Sequence, residues 1–163
     1  MKTNNKVKFE EYEDENLIDF RYMGFSQDSE DYLIDIKYVT EIIGIQNITP
    51  LPNSKSFLKG IINLRGIIIP IISTRLRFGK EEIDFNARTC IIVLNFEDNN
   101  IGLIVDNVTE VYHLLPENIS LPPDTNKGTN SNFIKGIGQI ENKVCMILDI
   151  EKLLIDKENM SLN

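Results

Sequence analysis

Phe57-Leu58-Lys59-Gly60-Ile61-Ile62-Asn63-Leu64-Arg65-Gly66-Ile67-Ile68-Ile69-Pro70 decides how this chain folds, because the chain contains it twice. The second version lies 76 positions further on, as Phe133-Ile134-Lys135-Gly136-Ile137-Gly138-Gln139-Ile140-Glu141-Asn142-Lys143-Val144-Cys145-Met146. The Phe-x-Lys-Gly-Ile opening and the apolar frame recur, but Glu141 stands where the first copy has Arg65. The first copy reads as strands at about 58–63 and 67–72 around a tight turn, Leu64-Arg65-Gly66, in which Gly66 supplies a positive φ. A frame that repeats belongs to the fold, and the residue that does not repeat, Arg65, is a candidate for function.

Outward from this stretch the repeat continues. Val39-Thr40-Glu41-Ile42 is echoed 69 positions later by Val108-Thr109-Glu110-Val111, and each is followed by a proline-containing segment. The charged stretch 79–88 separates two similar lobes, about 17–82 and 88–155. Many short strands with regular turns predict an all-β fold of two small barrels, which close their own edges and can exchange strands. Leu17 to Phe25 reads as a half-buried strand with Ile18, Phe20, Tyr22 and Phe25 on its apolar side. Ser26–Glu30 is a polar hairpin turn, and Tyr32–Ile36 and Val39–Ile43 form an interrupted strand. Further strands are expected at Thr89–Leu94 and Ile101–Val105, around a turn at Asp98-Asn99-Asn100. Asp149 is placed to N-cap a short C-terminal helix that carries Ile150, Leu153 and Leu154 on one face. Residues 1–16 are expected as a flexible acidic tail, 121–130 as an exposed loop and 156–163 as a C-terminal tail.

Composition narrows the function. A chain of 163 residues, 42% hydrophobic, can bury roughly 70% of its unfolded surface without disulfides. Its net charge of −8 repels nucleic acid and anionic lipid. The densest apolar run, Ile67–Ile72, contains Pro70 and falls far short of the ~20 residues that span a bilayer. No apolar signal core follows Met1, so a cytoplasmic protein is expected. Cys90 and Cys145 read as reduced, buried thiols.

No catalytic signature stands out. His113 is the one histidine and has no metal-ligand spacing around it. Nucleophile-elbow, phosphate-loop and zinc-protease patterns are missing, and the carboxylates lie in tails and turns. The expectation is a binding protein without enzymatic activity, cofactor or metal. Glu41, Lys59 and Arg65 border apolar strands. Such charges protect strand edges from aggregation. Arg65 projects from its turn, where a guanidinium makes planar contacts with a partner carboxylate beside an apolar patch.

These residues resemble a known family. Phe57-x-Lys59-Gly60-Ile61-Ile62-Asn63-Leu64-Arg65-Gly66-x-Ile68-Ile69-Pro70-Ile71 is similar to the signature of CheW, the bacterial chemotaxis coupling proteins. Asp31–Ile36 with Val39-x-Glu41-Ile42, then Thr89–Leu94, Ile101–Val108 and Ile147–Leu154, resemble its other blocks in order, over about residues 18–155. The resemblance implies two packed five-stranded SH3-like β-barrel lobes and a non-enzymatic scaffold. It implies two partners, the regulatory domain of a CheA-type histidine kinase and the cytoplasmic tip of methyl-accepting chemoreceptors. The kinase domain, built on the same fold, would dock end to end with one lobe, and the receptor tip would lie in an apolar groove between lobes. Carried over by position, Glu41, Lys59 and Arg65 are partner-binding residues, with Val39 and Gly60 beside them. Three positions depart from the pattern: Leu33 replaces a glycine, Ile43 an arginine, and Ser73-Thr74 an Asp-Leu pair. The last two departures are read as charges lost near the contact surface. They leave open an adaptor for another receptor–kinase pathway. A small barrel that binds oligonucleotides or oligosaccharides is the remaining alternative, disfavoured by the acidic charge and the lack of Trp.

Overall fold

The computed structural model of the chain describes residues 20–123 and 130–155. Both expected tails, Leu17 to Asp19 and the middle of the 121–130 loop lie outside the described residues. The strands are β1 (Arg21–Gln27), β2 (Glu30–Asp35), β3 (Val39–Gly44), β4 (Leu58–Leu64), β5 (Ile67–Ser73), β6 (Cys90–Phe96), β7 (Asn99–Val105), β8 (Asn107–His113), β9 (Ile119–Ser120), β10 (Ile134–Ile140) and β11 (Lys143–Leu148). Two short helices, α1 (Thr74–Arg77) and α2 (Ile150–Leu154), follow β5 and β11.

The strands form two SH3-like lobes. The first is a five-stranded sheet in the order β3-β6-β7-β5-β4, and the second is ordered β8-β1-β2-β11-β10-β9. Without the two-residue β9 the orders correspond strand for strand. Each half of the sequence gives its leading hairpin to one lobe and its next three strands to the other. The parallel pairs β5–β7 and β11–β2 are the joints of this exchange, since parallel neighbours must come from distant parts of a chain. The 79–88 stretch, where the sequence halves divide, falls between α1 and β6 inside the first lobe.

The exchange explains the unbroken apolar runs. In β6, Ile91 and Val93 point into the first lobe's interior with Ile62, Ile69, Ile71 and Ile104. Ile92 and Leu94 point the other way, into a seam between lobes shared with Leu103, Met23, Phe25, Tyr32, Ile34 and α2. A strand buried on both faces reads as continuous hydrophobicity, not alternation. β1 behaves alike, which corrects its half-buried expectation: Tyr22 enters the second lobe's interior, and Met23 and Phe25 enter the seam. A bulge against β8 between Met23 and Phe25 sets that register. Gln27, expected in a polar turn, is fully buried. The turn expected at 98–100 is instead Glu97 (φ 51°) and Asp98 (φ 65°), and Asn99 opens β7.

Interior volumes compensate between lobes. Ile71 pairs with Gly102 in one lobe and its repeat mate Ile147 pairs with Leu33 in the other, so Leu33 holds the place of Gly102. A Cβ on Gly102 would meet Ile71 Cδ1 at 2.6 Å and Ile91 Cγ2 at 2.8 Å. In the second lobe Gly138 and Cys145 stand where the first has Ile62 and Ile69, and the buried Leu114 and Leu33 take up the freed space: a Cβ on Gly138 would overlap Leu114 Cδ2 and meet Leu33 Cδ1 at 3.7 Å.

The helices also repeat. Ser73 N-caps α1 by accepting from the Leu76 N–H, and Asp149 N-caps α2 by accepting from the Lys152 N–H. The Ser73 N–H donates to Phe57 O at 2.9 Å, and the Asp149 N–H to Phe133 O at 2.7 Å. Ser73 and Thr74 are buried, so this departure keeps a capping residue and removes no surface charge. Arg77 lies over the Phe57 and Phe133 rings and donates to the Leu153, Lys152 and Ile155 carbonyls, closing the C-terminus of α2.

Candidate partner-docking site

The β4–β5 hairpin closes with Arg65 (φ 52°) and Gly66 (φ 87°), two consecutive left-handed residues, while Asn63 Oδ1 accepts from the Gly66 N–H at 2.8 Å. This turn lifts Arg65 off the sheet, and its guanidinium donates to the Glu41 carboxylate. Glu41 is aimed there by a bulge in β3 between Val39 and Glu41, pinned by the Thr40 hydroxyl donating to Val93 O at 3.0 Å. β3 and β4 are the opposite edges of the five-stranded order, so the ion pair closes the barrel at one end. The Arg65 side chain stays 67% exposed and that of Glu41 34%.

Around this pair Ile42, Ile67 and Ile68 are exposed to 40%, 53% and 56%. Three large aliphatics in water beside a guanidinium form the kind of patch that interfaces cover. Ile43, by contrast, packs against the first lobe's interior; the arginine expected there is replaced by a core contact.

The other sequence candidates are placed differently. Lys59 pairs with Glu82 at 2.9 Å, both about one-third exposed (30% and 36%). Gly60 is buried with φ 144°, and a Cβ there would overlap the Thr49 carbonyl and come within 2.9 Å of Pro50 Cα. Its requirement is therefore backbone geometry, which lets Thr49 bridge Ile61 beside the β4 bulge. Val39 is half-buried against the seam. The structure thus brings Glu41 and Arg65 together, engages Lys59 separately, and makes Gly60 and Val39 parts of the framework.

An open groove of about 1220 Å³ runs along the outer face of β4 and β5, floored by Leu51, Ile61, Ile68 and Pro70. Lys55 lines it as well, as do Glu97 and Asp98, and Leu154 and Ile155 of the α2 end reach into it. The residues belong to four chain segments; within the Ile67–Ile72 run Ile67 and Ile68 are exposed while Ile69, Ile71 and Ile72 are buried, and Ile68 lines the groove. Among the described residues no cluster of His, Cys, Asp and Glu could hold a metal, and no helix is long and apolar enough to cross a membrane. Burial pushes both the Cys90 and Cys145 thiols up, so both cysteines favour the thiol over the reactive thiolate.

A two-barrel protein whose exposed features are an apolar patch, an ion pair and an open groove belongs to the class of docking scaffolds. The chain matches the model of the CheW-like domain over residues 21–158. It is 36% identical over 137 residues to the chemotaxis protein CheW of Klebsiella aerogenes, covering 84% of this chain and 82% of that one. It is 33% identical over 143 residues to CheW of Treponema pallidum, covering 85% and 84%. The crystal structure of the scaffolding protein TtCheW from Thermoanaerobacter tengcongensis superposes with a TM-score of 0.79 at 33% identity, covering 88% of this chain and 98% of that one. The chain belongs to the CheW-like family of chemotaxis scaffold proteins.

Proposed function

We propose that this protein is a non-enzymatic, cytoplasmic adaptor that couples the tips of methyl-accepting chemoreceptors to a CheA-type histidine kinase. The observation that carries the reading is the exposed Ile42 and Ile67 beside the Arg65–Glu41 pair at one barrel end, with Ile68 on the groove floor next to them. An SH3-like kinase domain presents a similar end, and end-to-end stacking would cover this patch. The groove along β4 and β5 has the apolar floor and charged rim that suit an amphipathic helical hairpin. In this reading Glu41, Lys59 and Arg65 contact partners, and Val39 and Gly60 hold the strands that present them. The adaptor works by geometry: it keeps receptor and kinase in a fixed relation, so a small receptor movement biases the kinase. The test is capture from the native organism, with bound proteins identified by mass spectrometry. Recovery of receptors and a CheA-type kinase supports the proposal, and recovery of neither overturns it.

A further inference from the structure

The chain crosses between lobes twice, at Ile36–Tyr38 and at the single residue Asp106 between β7 and β8. Arg75, the second residue of α1, sits on that second crossing. Its Nε reaches Asp106 Oδ1 at 3.0 Å and Oδ2 at 3.1 Å, and its Nη2 reaches Oδ2 at 2.7 Å. The same Nη2 donates at 2.6 Å to Asp28 Oδ1, in the β1–β2 turn of the opposite lobe. Lys80, just past α1, pairs with Asp28 and Glu30 of that hairpin. Nη1 of Arg75 donates to Glu81 O at 3.1 Å, which fixes the guanidinium plane. The Arg75 and Asp106 side chains are 11% and 20% exposed, so that pair is screened less than a surface pair, whereas Asp28 at 53% exposure meets Arg75 at the protein surface.

Beneath this layer lies a second one. Gln27 donates through Nε2 to the Thr74 hydroxyl, which donates to Ile104 O at 2.6 Å. Gln27 and Thr74 are fully buried, and Gln27 Oε1 has no hydrogen-bond partner among the described residues. The repeat puts Phe96 at the equivalent position of the other hairpin, so the fold accepts an apolar side chain there. A buried amide with one end unsatisfied is a poor way to gain stability. In some proteins buried polar contacts of this kind fix the register between packed surfaces at a cost in stability.

We infer that Gln27–Thr74 and Asp28–Arg75–Asp106 form a clamp that fixes the relative orientation of the two lobes, and that signal transfer through the adaptor depends on it while partner binding does not. The inference rests on the proposed scaffold function, because a rigid relation between lobes matters only if each lobe or their seam carries a partner. None of the clamp residues belongs to the Arg65 patch or the groove floor. Arg75 therefore acts as a positioning residue and not as a contact.

The test uses the full chain with Gln27→Leu and Asp28→Asn combined, and Asp28→Asn alone as a milder variant should the double substitution unfold. Residual dipolar couplings of the wild type should fit one alignment tensor for both lobes. In the variants the tensor of one lobe should shrink relative to the other, while each lobe stays folded and the melting temperature falls by only a few degrees. In a reconstituted receptor–kinase assembly the variant should still co-sediment with both partners, but receptor-dependent kinase control should fall about fivefold or more. A common tensor in the variants overturns the clamp, and so does loosened orientation with unchanged kinase control. Failure of the wild type to assemble with either partner overturns the proposed function instead, and the couplings then decide the clamp by themselves.

Discussion

Arg65 donates to Glu41 across the place where the two edge strands of the first lobe meet. The carboxylate that the sequence reading assigned to a partner is thus supplied by this chain. The repeat puts Glu110 and Glu141 at the corresponding positions of the second lobe, so only the first lobe closes this end with opposite charges. A partner that meets Arg65 meets a guanidinium already oriented by Glu41 and still 67% exposed.

Arg65→Glu should leave the fold intact, because an exposed pair contributes about 1 kcal/mol or less. Thermal melting should shift by only a few degrees, while association with kinase or receptor in a co-sedimentation assay should weaken. The charge-swapped Glu41→Arg/Arg65→Glu chain separates the roles. It should recover the melting temperature but not the partner, and recovery of both would assign the pair to barrel closure alone.

Gly60→Ala should be far more damaging than its size suggests. The methyl group would overlap the Thr49 carbonyl at a φ of 144°, and the obstacle is backbone that cannot rotate away. A loss of about 3 kcal/mol or more is expected from overpacking plus backbone strain, read by urea denaturation. Any loss of partner binding should then follow the unfolded fraction; a folded variant that fails to bind would make Gly60 a contact.

Leu33→Ala should open a cavity in the second lobe, at a cost of about 2–5 kcal/mol. Cys145→Ile, which copies Ile69 of the other lobe, should overpack alone yet recover part of the loss when combined with Leu33→Ala. Double-mutant analysis by denaturant melts measures this coupling, and strict additivity would mean the two sites do not share volume.

Acid should loosen the contacts between lobes. The Arg75 hydrogen bond holds the Asp28 carboxyl below its ordinary value of 3.8, and the Lys80 hydrogen bond does the same for Glu30, ordinarily 4.5. Depressed folded-state values mean that this stabilisation is complete above those ordinary values and is lost as pH falls through the lower, folded ones. Melting temperature followed from pH 7 downward should fall below about pH 4, and Asp28→Asn should make that fall shallower.

The amino-acid sequence by itself determined that this chain is a duplicated β protein with a capped C-terminal helix. The spacing of Gly60 and Gly136, the turn residues Arg65 and Glu141, and the Asp149 cap are local signals that need no distant partner to be read. Arg65 could be singled out because it breaks a repeat. Only the tertiary structure decided which strands pair, because a hairpin such as β1–β2 satisfies its hydrogen bonds equally well in its own half or, as here, in the other. That exchange buries both faces of β1 and β6, turns Gln27 from a turn residue into a buried one, and puts Arg75 between Asp28 and Asp106. Charge pairing and exposure are properties of surfaces assembled from distant segments. For that reason Glu41 as the mate of Arg65, the exposure of Ile67 and Ile68, and the groove beside them were not legible in the linear chain.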